Sequence, residues 1–218
     1  MPVTYNIKKM VTDSLVLCLD AGNTKSYPGS GTTWTDLSGN GSNGTLTNGP
    51  TYSSDNGGSI VFDGSDDYVN APLTKSASCT FSSWVRTTTV VGPSMLFNAG
   101  GSGSGPDLIV NLGQTYWNTW DGTGNPLAFL PASATDGNYH CYVVVNDASS
   151  NTKLYYDGVL LGTATYRNAS ANSNLTIGGD TSDYMWNGNI SNFMIHNKAL
   201  TAAEITQNFD ALKGRYGL

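Results

Sequence analysis

Charge is scarce in this chain. Of its 218 residues only 12% are Asp, Glu, Lys or Arg, and one glutamate, Glu204, stands against fifteen aspartates. A helical bundle draws heavily on Lys, Glu and Leu, so that class is excluded. The ten Lys and Arg are scattered, with no cluster beyond Lys8-Lys9, and the net charge is −6. Phosphate backbones are held by concentrated basic faces, so nucleic acid is not an expected partner. Long apolar runs are missing as well. Leu15–Leu19 ends at Asp20, short of the roughly 7–15 residues of a signal peptide and of the ~20 of a membrane span. With Met1 at the start, the expectation is a chain without a leader or a membrane anchor.

Cysteine and histidine are equally sparse. Cys18, Cys79 and Cys141 are odd in number and lie in apolar or strand-like runs without a CxxC pair, which predicts three buried free thiols and a reducing compartment. His140 and His196 are the only histidines. Neither has a ligand-spaced partner or a Ser-x-Gly elbow, which argues against a zinc site or a catalytic triad.

Glycine, by contrast, is abundant at 26 residues, and apolar–polar alternation recurs between Gly-, Asn- and Asp-rich turns. That pattern reads as strands near 14–19, 59–62, 67–70, 79–87, 94–100, 107–112, 115–120, 139–147, 152–158, 159–166, 173–179 and 187–197. In 79–87 it sends Cys79, Phe81, Ser83 and Val85 to one face and Thr80, Ser82 and Trp84 to the other. Asp157-Gly158 predicts a two-residue hairpin turn. One helix follows Thr201, where Glu204 completes a capping box and Ile205, Phe209 and Leu212 share a face; Gly214 is the expected stop. Residues 20–56 form a long polar connection anchored by Trp34, Leu37 and Leu46, either functional or packed by its own side chains. The fold expected is all-β: a two-sheet antiparallel jelly-roll sandwich with one short C-terminal helix. Residues 1–12 form an arm and 13–218 a single domain.

Asp63, Asp66 and Asp67 crowd the turn in SIVFDGSDDYVN. Such aspartates bond their own backbone amides, whereas calcium needs six to eight oxygens, so the turn reads as structural. GGSGSGPD (100–107) lacks the Gly-Lys-Ser/Thr of a phosphate loop. TYWNTWDG places Tyr116 and Trp120 on one strand face and Trp117 on the other, as core side chains or as platforms for sugar C–H faces.

LVLCLDAG, WTDLSGNGSNGTL, IVFDGSDDYV, FSSWVRT, LFNAGG, DGNYHCYVVVND, KLYYDGVLLG, LTIGGD and GNISNFMIHNKALTAAEI occur in that order. Together they resemble the laminin-G-like, concanavalin A-like jelly rolls over roughly residues 15–212. The opening LDAGNTKSYPGSGTTWTDLSG looks most like versions in tailed bacteriophages and aquatic bacteria. The resemblance implies binding at the loop rim or a concave face. It extends to the pentraxins, whose rim calcium site would correspond by position to Asp107 in one loop and Asp180 with Asp183 in another. Tyr184 and Trp186, beside that rim, join Tyr116, Trp117 and Trp120 as candidate carbohydrate-binding residues. Many relatives carry Asp where this chain has Ser191, so a metal using that Asp would lose a ligand here. The resemblance also includes glycosidases, but no strand shows two acids on one face and Glu204 belongs to the helix cap.

The expectation is a non-catalytic phage virion protein, a capsid decoration or fibre component assembled in the host cytoplasm. It would contact virion proteins, copies of itself as a homo-oligomer, or host surface glycans. The alternative is an extracellular bacterial calcium-dependent lectin, with a glycoside hydrolase third.

Overall fold

The computed structural model describes residues 9–73, 75–88, 94–99, 106–111, 114–119, 126–129, 131–147, 151–165, 174–179 and 184–218. The chain forms two antiparallel sheets of eight strands each. In chain order the strands are β1 (Leu15–Asp20), β2 (Thr33–Trp34), β3 (Gly44–Thr47), β4 (Thr51–Ser53), β5 (Ser59–Asp63), β6 (Tyr68–Pro72), β7 (Cys79–Arg86) and β8 (Ser94–Asn98). They continue with β9 (Pro106–Asn111), β10 (Gln114–Thr119), β11 (Pro126–Phe129), β12 (Tyr139–Asn146), β13 (Asn151–Tyr156), β14 (Val159–Thr165), β15 (Asn174–Ile177) and β16 (Asn187–His196). The first sheet runs β14-β13-β12-β7-β16-β5-β4, and β1 pairs with β16 beside β5; the second runs β11-β10-β9-β8-β15-β6-β3-β2.

The sheets face each other across one core. Phe81 of β7 stacks on Phe97 of β8 at 4.7 Å between ring centroids, and Phe97 meets Phe193 of β16 edge-on at 5.3 Å. Ile60, Val144, Leu154 and Ile195 close on Trp34, Val69, Leu175 and Ile177 from the opposite sheet. The alternation expected in β7 holds: Cys79, Phe81 and Val85 enter this core, while Trp84 turns outward.

That outward face carries a second apolar layer. Trp84, Tyr139, Cys141, Val143, Val145 and Tyr155 lie under helix α1 (Ala202–Leu212), which contributes Ile205, Phe209 and Leu212. The Trp84 ring is stacked with Phe209 at 5.4 Å and with Tyr216 at 4.2 Å. The capping box forms as expected, with Thr201 Oγ1 accepting from Glu204 N and Glu204 accepting from Thr201 N. The hydrogen bond from Lys198, joined by those of Thr201, pushes the Glu204 carboxyl down to about 2. The helix does not stop at Gly214. Lys213 stays helical, a 3-10 turn runs over Lys213–Tyr216, and Gly217 ends it with φ of 81°. In the arm, Val11 N donates to Asn208 Oδ1, Gln207 Nε2 donates to Lys9 O, and His196 Nε2 meets Val11 O at 2.9 Å. The last residues of the arm are thus tied to helix α1 and β16.

The polar connection 20–56 holds β2, β3 and β4, none of which the alternation pattern suggests. Asp36 organises it. Its buried carboxylate accepts from Cys18 N (2.9 Å), Ser38 N (2.9 Å), Ser38 Oγ (2.7 Å) and Ser42 N (3.1 Å). One side chain thereby closes the loop and fastens it to β1. Asp157-Gly158 forms the expected hairpin, both residues having positive φ. All three cysteines are free and buried, and burial pushes the Cys18 thiol up to about 12.

Candidate functional site

The strands give the sandwich two ends, set about 30 Å apart by the ten residues of β16. One end is acidic. There the turn Asp63–Asp67 joins β5 to β6 and is stitched by its own side chains. Asp63 Oδ1 accepts from Ser65 N (2.8 Å), Asp67 Oδ2 accepts from Asp63 N (3.1 Å), Asn187 Nδ2 donates to Asp63 O (3.0 Å) and Asn48 Nδ2 donates to Asp66 O (2.9 Å). The turn reading from sequence matches these bonds. Asp67 is buried, and its carboxyl lies above the usual carboxylate range because burial disfavours its charge and Asp63 and Asp66 repel it. One oxygen from each of the three carboxylates lies within 4.8 Å of the others. A cluster of this kind can hold a metal ion, although three carboxylates are fewer than the ligands calcium takes.

The same end contains His140. Its Nδ1 meets Asp157 Oδ2 at 2.7 Å, its Nε2 meets Asp136 Oδ1 at 3.2 Å, and its ring stacks on Tyr156 at 4.9 Å. Burial works against a charged ring, but the two carboxylates win and raise its pKa above the ordinary value. Both ring nitrogens are engaged, so His140 offers no free lone pair to a metal. At the other end His196 is fully buried, and burial lowers its pKa.

The predicted site residues divide. Tyr184 is exposed at the acidic end, where its carbonyl accepts from Met95 N at 3.3 Å. Trp186 is 1% exposed and belongs to the core between the sheets. Enclosed by the sandwich, its ring has no face to offer a sugar, which corrects the expectation of a rim residue. Asp107 lies not in a loop but in β9, paired with Asn98 on one side and Asn118 on the other. Tyr116 and Trp117 are consecutive in β10, opposite Ile109 and Leu108. Trp120, Asp180 and Asp183 fall outside the described residues.

Sequence reasoning did not find Arg215. On one flank of β16 the partner changes from β5 to β1, and a bulge sits at Ser191. The bulge switches the parity of inward residues from Ile190 to Phe193 and Ile195. Arg215 fills the junction. Its guanidinium bonds Asp20 Oδ1 (2.7 Å), Asn56 O (3.1 Å), Gly58 O (3.0 Å) and Ser191 Oγ (2.8 Å). Ser191 Oγ also donates to Gly58 O at 2.6 Å and accepts from Tyr216 OH at 3.0 Å. The oxygens around Ser191 are therefore matched by a cation that belongs to the chain itself.

Two sheets, short turns and a helix on the outer face define a class of two-layer β-sandwich binding and hydrolase domains. The chain belongs to the concanavalin A-like lectin/glucanases superfamily, whose Laminin_G_3 model matches residues 63–206. Among solved structures it resembles domain 4 of the extracellular arabinanase AbnA from Geobacillus stearothermophilus, in complex with arabinotriose. That match has 20% identity and a TM-score of 0.73, and covers 89% of this chain and 98% of that one. It also resembles the binding domain of botulinum neurotoxin DC in complex with SialylT (15% identity, TM-score 0.74, 93% of this chain and 52% of that one). The binding domain of Paraclostridial Mosquitocidal Protein 1 matches with 17% identity and a TM-score of 0.72, over 91% and 52%. The chain spans about half the length of these toxin domains and nearly all of the arabinanase domain. At these identities the likeness shows the fold. A search of curated proteins by sequence gave no match.

Proposed function

We propose that this chain is a non-catalytic carbohydrate-binding jelly roll, carried on a bacteriophage particle as a capsid decoration or fibre component. The observation that carries the carbohydrate reading is the arabinanase domain, which aligns over 98% of its length and is held in complex with arabinotriose. The acid inventory supports the absence of catalysis. The single glutamate is consumed by the helix cap. The one close group of three carboxylates among the described residues comes from a single turn, and Asp136 and Asp157 are engaged by the two ring nitrogens of His140, whereas glycosidases flank the sugar with two carboxyl groups. The phage setting rests on the resemblance of the opening segment LDAGNTKSYPGSGTTWTDLSG. A glycan array probed with the labelled protein, run beside an assay for released reducing sugar, tests the reading. Binding without release is expected; release of sugar overturns it. Mass spectrometry of purified particles tests the setting.

A second reading, a calcium-dependent lectin, is favoured by the three carboxylates of the Asp63–Asp67 turn. It requires that chelator abolish glycan binding.

A further inference from the structure

The end of the sandwich opposite the acidic turn holds a cleft of about 390 Å³. It lies between the start of β1, the Asp36 loop, the end of β6 and the end of β16. Val16, Pro72, Leu73 and Ile195 form its apolar walls, and Asn40, Ser42 and Asn197 supply the polar groups. We propose that this cleft is a binding site for a neutral saccharide unit.

The lining chemistry carries the assignment. Among the described residues no charged side chain lines the cleft. Asp36, which accepts from the backbone amide of Ser42, spends its oxygens on Cys18, Ser38 and Ser42, and Lys198, next to Asn197, is paired with Asp13 and Glu204. An ionic ligand would be desolvated there without a counter-charge, which is costly. The polar groups are partly used and partly open, in complementary ways. Asn40 Nδ2 donates to Val16 O and Ser38 Oγ, which leaves its carbonyl oxygen as an acceptor. Asn197 Oδ1 accepts from Ser76 N, which leaves its NH₂ as a donor. The Ser42 hydroxyl has no partner among the described residues, while its backbone amide is fixed by Asp36. An acceptor, a donor and a hydroxyl set against an apolar wall suit a ring that bears hydroxyls on its edge and C–H groups on its face. The volume lies at the lower end of the roughly 300–1,000 Å³ usual for small-molecule sites. The groups are also held in place, since Asn40 and Ser42 are braced by the Asp36 network and Asn197 N donates to Ser14 O at 2.7 Å.

The ligand class rests on the carbohydrate reading above; the place rests on the cleft alone. The test is amide NMR of the full chain with arabinotriose, lactose and cellotriose, each at millimolar concentration, with sialyllactose as the charged comparison. At least one neutral sugar is expected to move the amides of Val16, Asn40, Ser42, Leu73 and Asn197, more strongly than sialyllactose does. Asn40→Ala should weaken that sugar about five- to tenfold, the loss of one hydrogen bond, and Ser42→Trp should abolish the shifts by filling the cleft. The Asn40→Ala result decides the matter if the tryptophan variant does not fold. Shifts confined to the acidic end, or unchanged by Asn40→Ala, overturn the cleft and leave the carbohydrate reading standing. No shift with any neutral sugar overturns both.

Discussion

The two ends of the sandwich are built from the same strands but solve different problems. At the acidic end Asp63, Asp66 and Asp67 crowd one turn, and His140 is held between Asp136 and Asp157. At the other end the carboxylate beside the cleft, Asp36, is buried and saturated with donors, Lys198 is paired with Asp13 and Glu204, the histidine is buried, and the open groups of the cleft are amides and a hydroxyl. Concentrated charge draws the eye in a sequence, yet at the acidic end most of it is spent holding turns together. The end with recognition groups to spare is the one whose cleft has no charged side chain among its described lining residues.

Removing Asp36 should produce the largest effect. Asp36→Ala strands three backbone amides and a hydroxyl, and about 3 kcal/mol of stability should be lost, read from the denaturant midpoint. A loss below about 1 kcal/mol would mean the neutral end does not depend on this carboxylate.

The two histidines should then separate the ends by pH. His196 has a lowered folded pKa, so its contribution is whole above the unfolded value near 6.5 and fades as pH falls below it. His140 has a raised folded pKa, so its contribution is whole below the unfolded value and fades as pH rises through the folded one. His196→Gln should flatten the acid limb of the stability profile and His140→Gln the alkaline limb. Identical profiles for the two variants would erase the contrast.

A smaller effect is expected from Asp67→Asn. Because the folded pKa of Asp67 is raised, the wild type gains stability as pH falls toward that value. The asparagine variant should lack this gain and should match or exceed the wild type at neutral pH, by up to ~0.5 kcal/mol. A clear loss at neutral pH would show that the charge itself holds the turn.

The smallest effect should come from calcium, with thermal midpoints in calcium and in chelator expected to coincide. Occupancy at a hundredfold excess over the dissociation constant would add about 2.7 kcal/mol. A shift of that kind, lost in Asp66→Asn, would make the acidic turn an ion site and reverse the functional ranking of the ends.

Much of the fold was legible because period-two alternation and Gly/Asn/Asp turns are direct consequences of strand geometry. The face assignment of β7, the Asp157-Gly158 hairpin and the Thr201–Glu204 cap follow from such local rules. β2, β3 and β4 did not, because segments as short as TW, GTLT and TYS carry too few apolar positions to show a period. The helix ran past Gly214 because Tyr216 packs on Trp84, a tertiary contact that outweighs the glycine. Trp186 was misplaced because a loop aromatic gives no sign of which way its ring turns. The cleft was invisible for a related reason: Asn40, Ser42 and Asn197 are ordinary loop residues, and only the pairing of β1 with β16 brings them together.

That pairing also bears on the order in which the molecule is built. Arg215 joins Asp20, Asn56, Gly58 and Ser191 across most of the chain's length. During synthesis β1 therefore waits for β16 to cover its flank, and Asp20 waits for residue 215 to neutralise it. Such distant closure slows folding and leaves strand edges exposed meanwhile. The guanidinium acts as a latch set late in synthesis, and a chain stopped just before it has every strand but leaves Asp20 without its cation and Trp84 without the ring of Tyr216.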